Sequence, residues 1–198
     1  MIVLADNDIV HKLACCDLLS ELMEWLKAPP SEVWVLPSMP FVLRKKLKNN
    51  SSALVCLESF LLQVKPIPQA QIESMDRFAQ LDVGERQMLA VLVDDSTVHH
   101  MVTGDKRALK LIGEMACTDV LLSNRLNATQ VDCLESIMLG LINQFGFAVI
   151  NAKAIGGLNS DTVLNISFGS NRNQTHACES LTSYLNAVRG TASFVALT

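Results

Sequence analysis

The sequence lacks the features that mark membrane, repeat and targeted proteins. No uninterrupted apolar stretch approaches the length of a transmembrane helix, so the chain is not expected to span a membrane. No internal repeat or low-complexity tract is present, which argues against a repeat architecture. The first ten residues carry no basic leader, and no signal peptide is therefore expected.

The chain also lacks an excess of positive charge. It holds 16 Lys and Arg against 20 Asp and Glu, which gives a formal net charge of −4. That balance argues against a generally basic nucleic-acid coat protein, but it allows an enzyme whose basic groups surround one cleft. The 198 residues are 49% hydrophobic and 18% charged, which is typical of a globular protein.

None of the six cysteines has the two-residue spacing of a zinc knuckle or a redox motif. They lie mostly within apolar patterns of the sequence. We therefore expect reduced thiols packed in the core of a cytoplasmic protein.

Short apolar segments alternate with helical patterns along the first 125 residues. We predict strands over residues 2–5, 33–36, 64–67, 97–102 and 120–122. We predict helices over residues 9–26, 41–47, 54–64, 72–78, 86–93 and 109–115. This alternation predicts an α/β fold of three α/β/α layers, Rossmann-like, with a central parallel sheet covered on both faces.

After residue 125 the pattern becomes mainly helical. Residues 128–145 and 174–189 show helical spacing, whereas residues 161–168 fit either a helix or a strand. We therefore divide the chain into a domain over residues 1–125 and a helical C-terminal extension over residues 126–198. The apolar stripes of the extension need a partner, so we expect it to pack on the domain or to form a homo-oligomer.

Three carboxylates occupy places where a parallel sheet gathers ligands. Asp6 follows the first predicted strand, Asp105 follows the fourth, and Glu85 begins a helix directly after Gly84. Ligands of open parallel sheets bind outside the carboxyl ends of the strands. If the first and fourth strands are neighbours, Asp6 and Asp105 converge at one edge, near which crossover helices also begin.

Carboxylates that are brought together stay ionised only when a cation neutralises them. An all-oxygen set without His or Cys suits Mg²⁺ or Mn²⁺, and a water on such an ion can be activated for in-line attack on a phosphate. Asp8 is a further candidate ligand. Lys106 and Arg107 are candidate contacts for the anionic backbone of a substrate.

The segments VLADND, LDVGERQMLAVL and VTGDKRAL together resemble the PIN domain, the metal-dependent ribonuclease fold of many toxin–antitoxin toxins. The resemblance lies in a strand-end Asp6-x-Asp8, a Gly–Glu pair that opens a helix at Glu85, and a Thr-x-Asp at Asp105, in the family's order over roughly residues 1–125. It implies an endoribonuclease dependent on Mg²⁺ or Mn²⁺. It also implies RNA as substrate and an antitoxin-like protein as a partner.

The chain departs from the family pattern in the helix after the second strand. Many members carry an acidic residue there, whereas LPSMPFVLRKKL has Val42, Leu43 and Arg44. The fourth ligand is then missing or supplied elsewhere, for example by Asp8. The basic run over residues 44–48 is either a solvated helix face or a contact for RNA.

Other interpretations of the same residues stay open. Asp6, Asp8 and Asp105 fit helix N-caps, and Glu85 fits a first-turn residue that complements the helix dipole. A catalytically silent PIN-like RNA-binding or assembly scaffold would explain the missing fourth carboxylate. VLADNDIV also resembles the opening motif of haloacid-dehalogenase-like phosphatases, with Asp6 as nucleophile and Asp8 as general acid, although the second Asp expected downstream is Leu109.

Overall fold

A computed structural model describes residues 1–4 and 6–197, and it contains one all-parallel sheet within helical layers. The strands are β1 (Ile2–Leu4), β2 (Val33–Val35), β3 (Lys65–Pro66), β4 (His100–Val102) and β5 (Gln130–Asp132). Their order across the sheet is β3-β2-β1-β4-β5. The predicted three-layer α/β/α fold is confirmed. Ala5, the end of the first predicted strand, lies outside the described residues.

The central strands are apolar throughout because helices cover both faces of the sheet. Ile2, Val3 and Leu4 of β1 have no exposed surface, and neither do Met101 and Val102 of β4. Such continuous apolar runs are typical of buried parallel strands. Burial of these runs fixes the sheet as the centre of the core.

Helices connect and cover the strands. They are α1 (Asn7–Cys15), α2 (Leu19–Leu26), α3 (Met39–Leu47), α4 (Ser51–Leu61), α5 (Ile72–Asp76), α6 (Val83–Asp94), α7 (Lys106–Ala116), α8 (Val120–Asn127), α9 (Leu134–Phe145), α10 (Phe147–Ala154), α11 (Thr162–Ser167) and α12 (Gln174–Arg189). Two 3-10 helices lie at Pro30–Glu32 and Ile155–Ser160. Helices α1 to α4 pack with one another, and α5, α6, α7 and α8 pack as a second group.

The single helix predicted over residues 9–26 is wrong, because the chain forms two helices there. Asp17, between α1 and α2, has a φ of 52°, in the left-handed region that ends a helix. The Leu18 N–H donates to the Leu13 carbonyl oxygen at 2.9 Å and closes the turn. Both helices bury one apolar face, so helical spacing alone did not reveal the break.

The strand predicted over residues 120–122 is also wrong, since these residues open α8. Val120 is 73% exposed, and the Asp119 carboxylate caps the helix by accepting from the Leu122 N–H at 3.0 Å. The strand beside β4 is instead β5, within the stretch predicted as helix over residues 128–145. The sheet therefore continues past residue 125 into the predicted extension.

The remainder of the extension is helical and packs on the sheet layers. Helix α9 contacts α2 and α12, and the 3-10 helix Ile155–Ser160 contacts α1. The segment 161–168, ambiguous in sequence, forms α11. The apolar stripes of α9 and α12 are thus covered within the chain, as one of the two predicted arrangements requires.

All six cysteines are free thiols, but they are not all in the core. Cys16 and Cys133 are buried as predicted, whereas Cys117 is exposed, contrary to the prediction. Among the helices of the described residues, none combines the length and apolar character needed to cross a membrane.

Candidate functional site

The strand order reverses between β1 and β4. From β1 the chain proceeds to β2 and β3 on one side, and then returns to β4 and β5 on the other. Leu4 pairs with Val102, so the carboxyl ends of the two strands lie side by side. Such a switch point is where open α/β sheets bind ligands. Strands β1 and β4 are therefore neighbours, as the predicted convergence of Asp6 and Asp105 requires.

A cavity of about 420 Å³ opens at this point. It is lined by Asp6, Asn7, Asp8, Leu36, Ser38, Asp82, Val83, Gly84, Glu85, Gln87, Met88, Thr103 and Asp105. The cavity thus brings together Asp6, Asp8, Glu85 and Asp105, the acidic residues singled out from the sequence. Asp82, which sequence reasoning did not single out, also lines the cavity.

Asp6 joins the end of β1 to the loop after β4. It is the N-cap of α1, and its Oδ1 accepts from the Asp8 N–H at 2.6 Å and the Ile9 N–H at 3.3 Å. Its Oδ2 accepts from the Gly104 N–H at 2.5 Å. A Cβ on Gly104 would lie 2.9 Å from Ile9 and 3.3 Å from this oxygen, so glycine permits the close approach.

Asp105 caps α7 with one oxygen only. Its Oδ1 accepts from the Arg107 N–H at 2.7 Å and the Ala108 N–H at 3.1 Å. No hydrogen bond to its Oδ2 comes from the described residues. The capping interpretation of Asp105 is therefore confirmed, and it leaves one oxygen for a ligand.

Glu85 and Asp82 form a capping box at the start of α6. The Asp82 Oδ1 accepts from the Glu85 N–H at 2.9 Å, and the Glu85 Oε2 accepts from the Asp82 N–H at 3.2 Å. The sequence signal for Asp82 was its position three residues before Glu85, which is the spacing of this motif. The box fixes both carboxylates at the wall of the cavity.

The charges in the cavity act on one another. Burial raises the pKa of Glu85 to about 6, and the nearby charges of Asp82, Asp105 and Asp6 add to the increase against the hydrogen bond from the Asp82 N–H. None of these four carboxylates forms an ion pair within the described part of the chain. Within the described residues, therefore, no cationic side chain compensates their negative charge.

Asp8 differs from these four because it is paired with two cations. Its oxygens lie 2.5 Å from Lys12 Nζ and 3.2 Å from Lys46 Nζ. Burial would raise the pKa of Asp8, but the hydrogen bonds and charges of the two lysines hold it below the ordinary value. Asp6, and not Asp8, caps α1.

The predicted substrate contacts lie outside the cavity lining. Lys106 Nζ is 3.1 Å from Oε1 of the buried Glu135 and 5.3 Å from the centre of the Tyr184 ring. Arg107 does not line the cavity either. Arg44, in the segment where the PIN pattern leads one to expect an acidic residue, pairs with Glu58 at 2.6 Å.

A Mg²⁺ or Mn²⁺ ion in this cavity would have to keep most of its water ligands. Among residues 1–4 and 6–197, no group of three or more His, Cys, Asp or Glu side chains could by itself hold a metal ion. The uncompensated carboxylates are nonetheless hard oxygen donors, and Mg²⁺ needs few of them because it keeps several waters. Asn7 lines the same cavity, and its buried Oδ1 has no hydrogen-bond partner in the described structure.

Comparison with protein families, curated proteins and solved structures finds no match to this chain. The fold defines the class, an α/β protein with a parallel sheet and an acidic cavity at its switch point.

Proposed function

We propose that the protein is a PIN-like endoribonuclease that depends on Mg²⁺ or Mn²⁺. The observation that carries the proposal is one cavity at the switch point, lined by Asp6, Asp82, Glu85 and Asp105 without an ion-pair partner in the described chain. Such a concentration of negative charge favours a divalent cation. The three PIN-like segments all contribute residues to its wall.

The residues have distinguishable roles in this proposal. Asp82, Glu85 and Asp105 each offer one carboxylate oxygen that capping does not use, and Asp6 fixes the loop that carries Asp105. A bound Mg²⁺ or Mn²⁺ would activate water and stabilise the leaving oxygen of a phosphodiester. Glu85 lines the cavity with one oxygen that capping does not use, and it would accept a proton from the attacking water.

The test is cleavage of labelled single-stranded RNA by the full chain with Mg²⁺, with Mn²⁺ or with a chelator. We expect internal cleavage only with metal and a loss of roughly 100-fold or more in Asp105→Asn, since even indirect metal-site changes cost 10- to 100-fold. Asn retains the Oδ1 that caps α7, so the fold should persist, as circular dichroism would check.

Glu24→Gln is the matched control because Glu24 is exposed on α2, outside the cavity lining. It should cut like the wild type. Cleavage that survives chelation, or that Asp105→Asn leaves unchanged, would refute the proposal.

A catalytically silent RNA-binding or assembly scaffold is the second candidate. The observation that favours it is the lack, among the described residues, of a ready group of three metal-ligating side chains. A scaffold of this kind would bind RNA without cutting it under any metal condition. The same assay therefore separates the two functions.

The phosphatase alternative has less support. Both oxygens of Asp6, its required nucleophile, accept backbone N–H groups. Asp8, its required general acid, is paired with Lys12 and Lys46. We do not propose this function.

The ribonuclease proposal includes a cytoplasmic location, self-association and an antitoxin-like partner. The six free thiols support a reducing compartment. The exposed side chains of Phe41 and Leu62, at 74% and 88%, support a protein contact near α3 and α4. Size-exclusion chromatography with light scattering would test self-association.

A further inference from the structure

The cavity needs a cation at its rim if it is to receive RNA. Five carboxylates line it, and a polyanionic backbone is repelled by them unless fixed positive charge lies at the entrance. Lys106 pairs with Glu135 and Arg107 does not line the cavity, so neither of these two cations is paired with an acidic residue of the cavity wall. The basic run on α3 is the alternative source.

Within that run, one lysine reaches the cavity wall. Lys46 Nζ lies 3.2 Å from Oδ1 of Asp8, which lines the cavity. Arg44 is committed to a two-point hydrogen bond with Glu58, at 2.6 and 2.7 Å. For Lys45, no ion pair or side-chain hydrogen bond occurs within the described residues.

Asp8 has a second cation that can stay behind. Lys12 Nζ lies 2.5 Å from Asp8 and 2.7 Å from Asp161, and its side chain is only 15% exposed. If Lys12 moved away, the partly buried carboxylates of Asp8 and Asp161 would lose this cation, which would cost free energy. The Lys46 side chain is 46% exposed, so it can leave Asp8 while Lys12 still compensates that carboxylate.

We propose that Lys46 is the phosphate-binding cation of this site and passes from Asp8 to the RNA backbone when substrate binds. This inference rests on the proposed ribonuclease function. Asp8 is then a positioning residue that holds Lys46 at the rim between binding events. An ammonium group suits the role because Lys binds phosphate as a point charge.

The experiment compares Lys46→Met with Lys45→Met in the Asp105→Asn background, with Mg²⁺ present so that RNA binds uncut. Both substitutions remove one charge from neighbouring exposed positions of α3, so the net charge and the long-range electrostatics are matched. Fluorescence anisotropy of a labelled single-stranded RNA over a series of KCl concentrations gives the affinity and its salt dependence.

We expect Lys46→Met to weaken binding roughly fivefold and to reduce the slope of log K against log salt by about 0.7, the value for one phosphate contact on a single strand. Lys45→Met should change affinity by less than about twofold, because an unspecific surface charge makes only a weak contribution. Equal effects of the two variants would overturn the inference.

Cleavage by the otherwise unmodified chain, measured in parallel, separates this inference from the function on which it rests. Metal-dependent cleavage with equal Lys46→Met and Lys45→Met affinities would overturn only the role of Lys46. RNA that stays uncut and unbound in every variant would overturn both proposals.

Discussion

At the scale of single residues, the acidic side chains of the cavity cap helices, and the proposed function gives them a second purpose. A carboxylate has two oxygens, and a helix cap uses only one of them in Asp82, Glu85 and Asp105. Capping holds the side chain in one orientation, and the second oxygen is then presented at low conformational cost. Structural and functional interpretations of these residues are therefore compatible.

The pKa of Glu85 predicts how stability depends on pH. Its folded-state pKa of about 6 lies above the ordinary value of 4.5, so folding favours the protonated carboxyl. That contribution is complete below about pH 4.5 and is lost as the pH rises through about 6. In metal-free buffer, Glu85→Gln should therefore be more stable than the wild type at pH 7.5, by up to about 1 kcal/mol after allowance for solvent screening.

Urea denaturation at pH 4 and pH 7.5 checks this expectation. Gln keeps an oxygen that can accept from the Asp82 N–H, so the capping box survives the change. Glu24→Gln, with no cavity charge near it, should show no such pH-dependent gain. A Glu85→Gln variant that is less stable at pH 7.5 would show that the ionised carboxylate is favoured there.

At the scale of secondary-structure elements, close contact between α2 and α9 holds the C-terminal region against the sheet. A Cβ on Gly140 of α9 would lie 2.4 Å from Nε1 of Trp25 on α2. The same indole packs edge-on against His100 of β4, with ring centres 6.1 Å apart. Gly140 is required because the α9 backbone approaches the indole ring of Trp25 too closely for a Cβ, and not because of its φ.

Gly140→Ala should destabilise the protein by roughly 1–3 kcal/mol, the usual cost of overpacking. Alanine's better helix propensity, worth about 1 kcal/mol, opposes the effect but does not remove the overlap. Chemical denaturation measures the change. Trp25→Phe in the Gly140→Ala background should recover part of the loss, because the three nearest atoms belong to the indole.

No recovery in the double variant would mean that the overlap lies elsewhere. An unchanged stability of Gly140→Ala alone would mean that α9 and α2 can separate freely. Either result would contradict the account of this interface.

Elements that stand apart from their neighbours in the sequence could be predicted, and an element embedded in a longer apolar pattern could not. The helix α12 has the bounds that its apolar spacing predicts, and β2 and β4 lie within predicted strands. The strand β5 was missed because it lies at the start of a longer stretch with helical spacing, and Val131 fits that spacing. The strand prediction at Val120 and Leu121 was wrong because residues with high β propensity are not always buried. Both side chains are exposed.

At the scale of the whole molecule, the topology assembles a site from separated segments. Strand-end logic correctly predicted that Asp6, Glu85 and Asp105 would line one cavity. It did not reveal the pair of Lys46 with Asp8 or the pair of Lys106 with Glu135, because both depend on side-chain reach across elements. The strand order, β3-β2-β1-β4-β5, explains why residues about 100 positions apart meet.

The central claim is that this cavity binds a divalent cation through its uncompensated carboxylates. Titration calorimetry of the full chain with Mn²⁺ at pH 7.5 tests it most directly, with Asp105→Asn and Glu24→Gln beside the wild type. We predict saturable binding in the wild type and in Glu24→Gln, and an affinity at least about tenfold lower in Asp105→Asn. Absence of saturable binding, or equal affinity in all three proteins, would contradict the account.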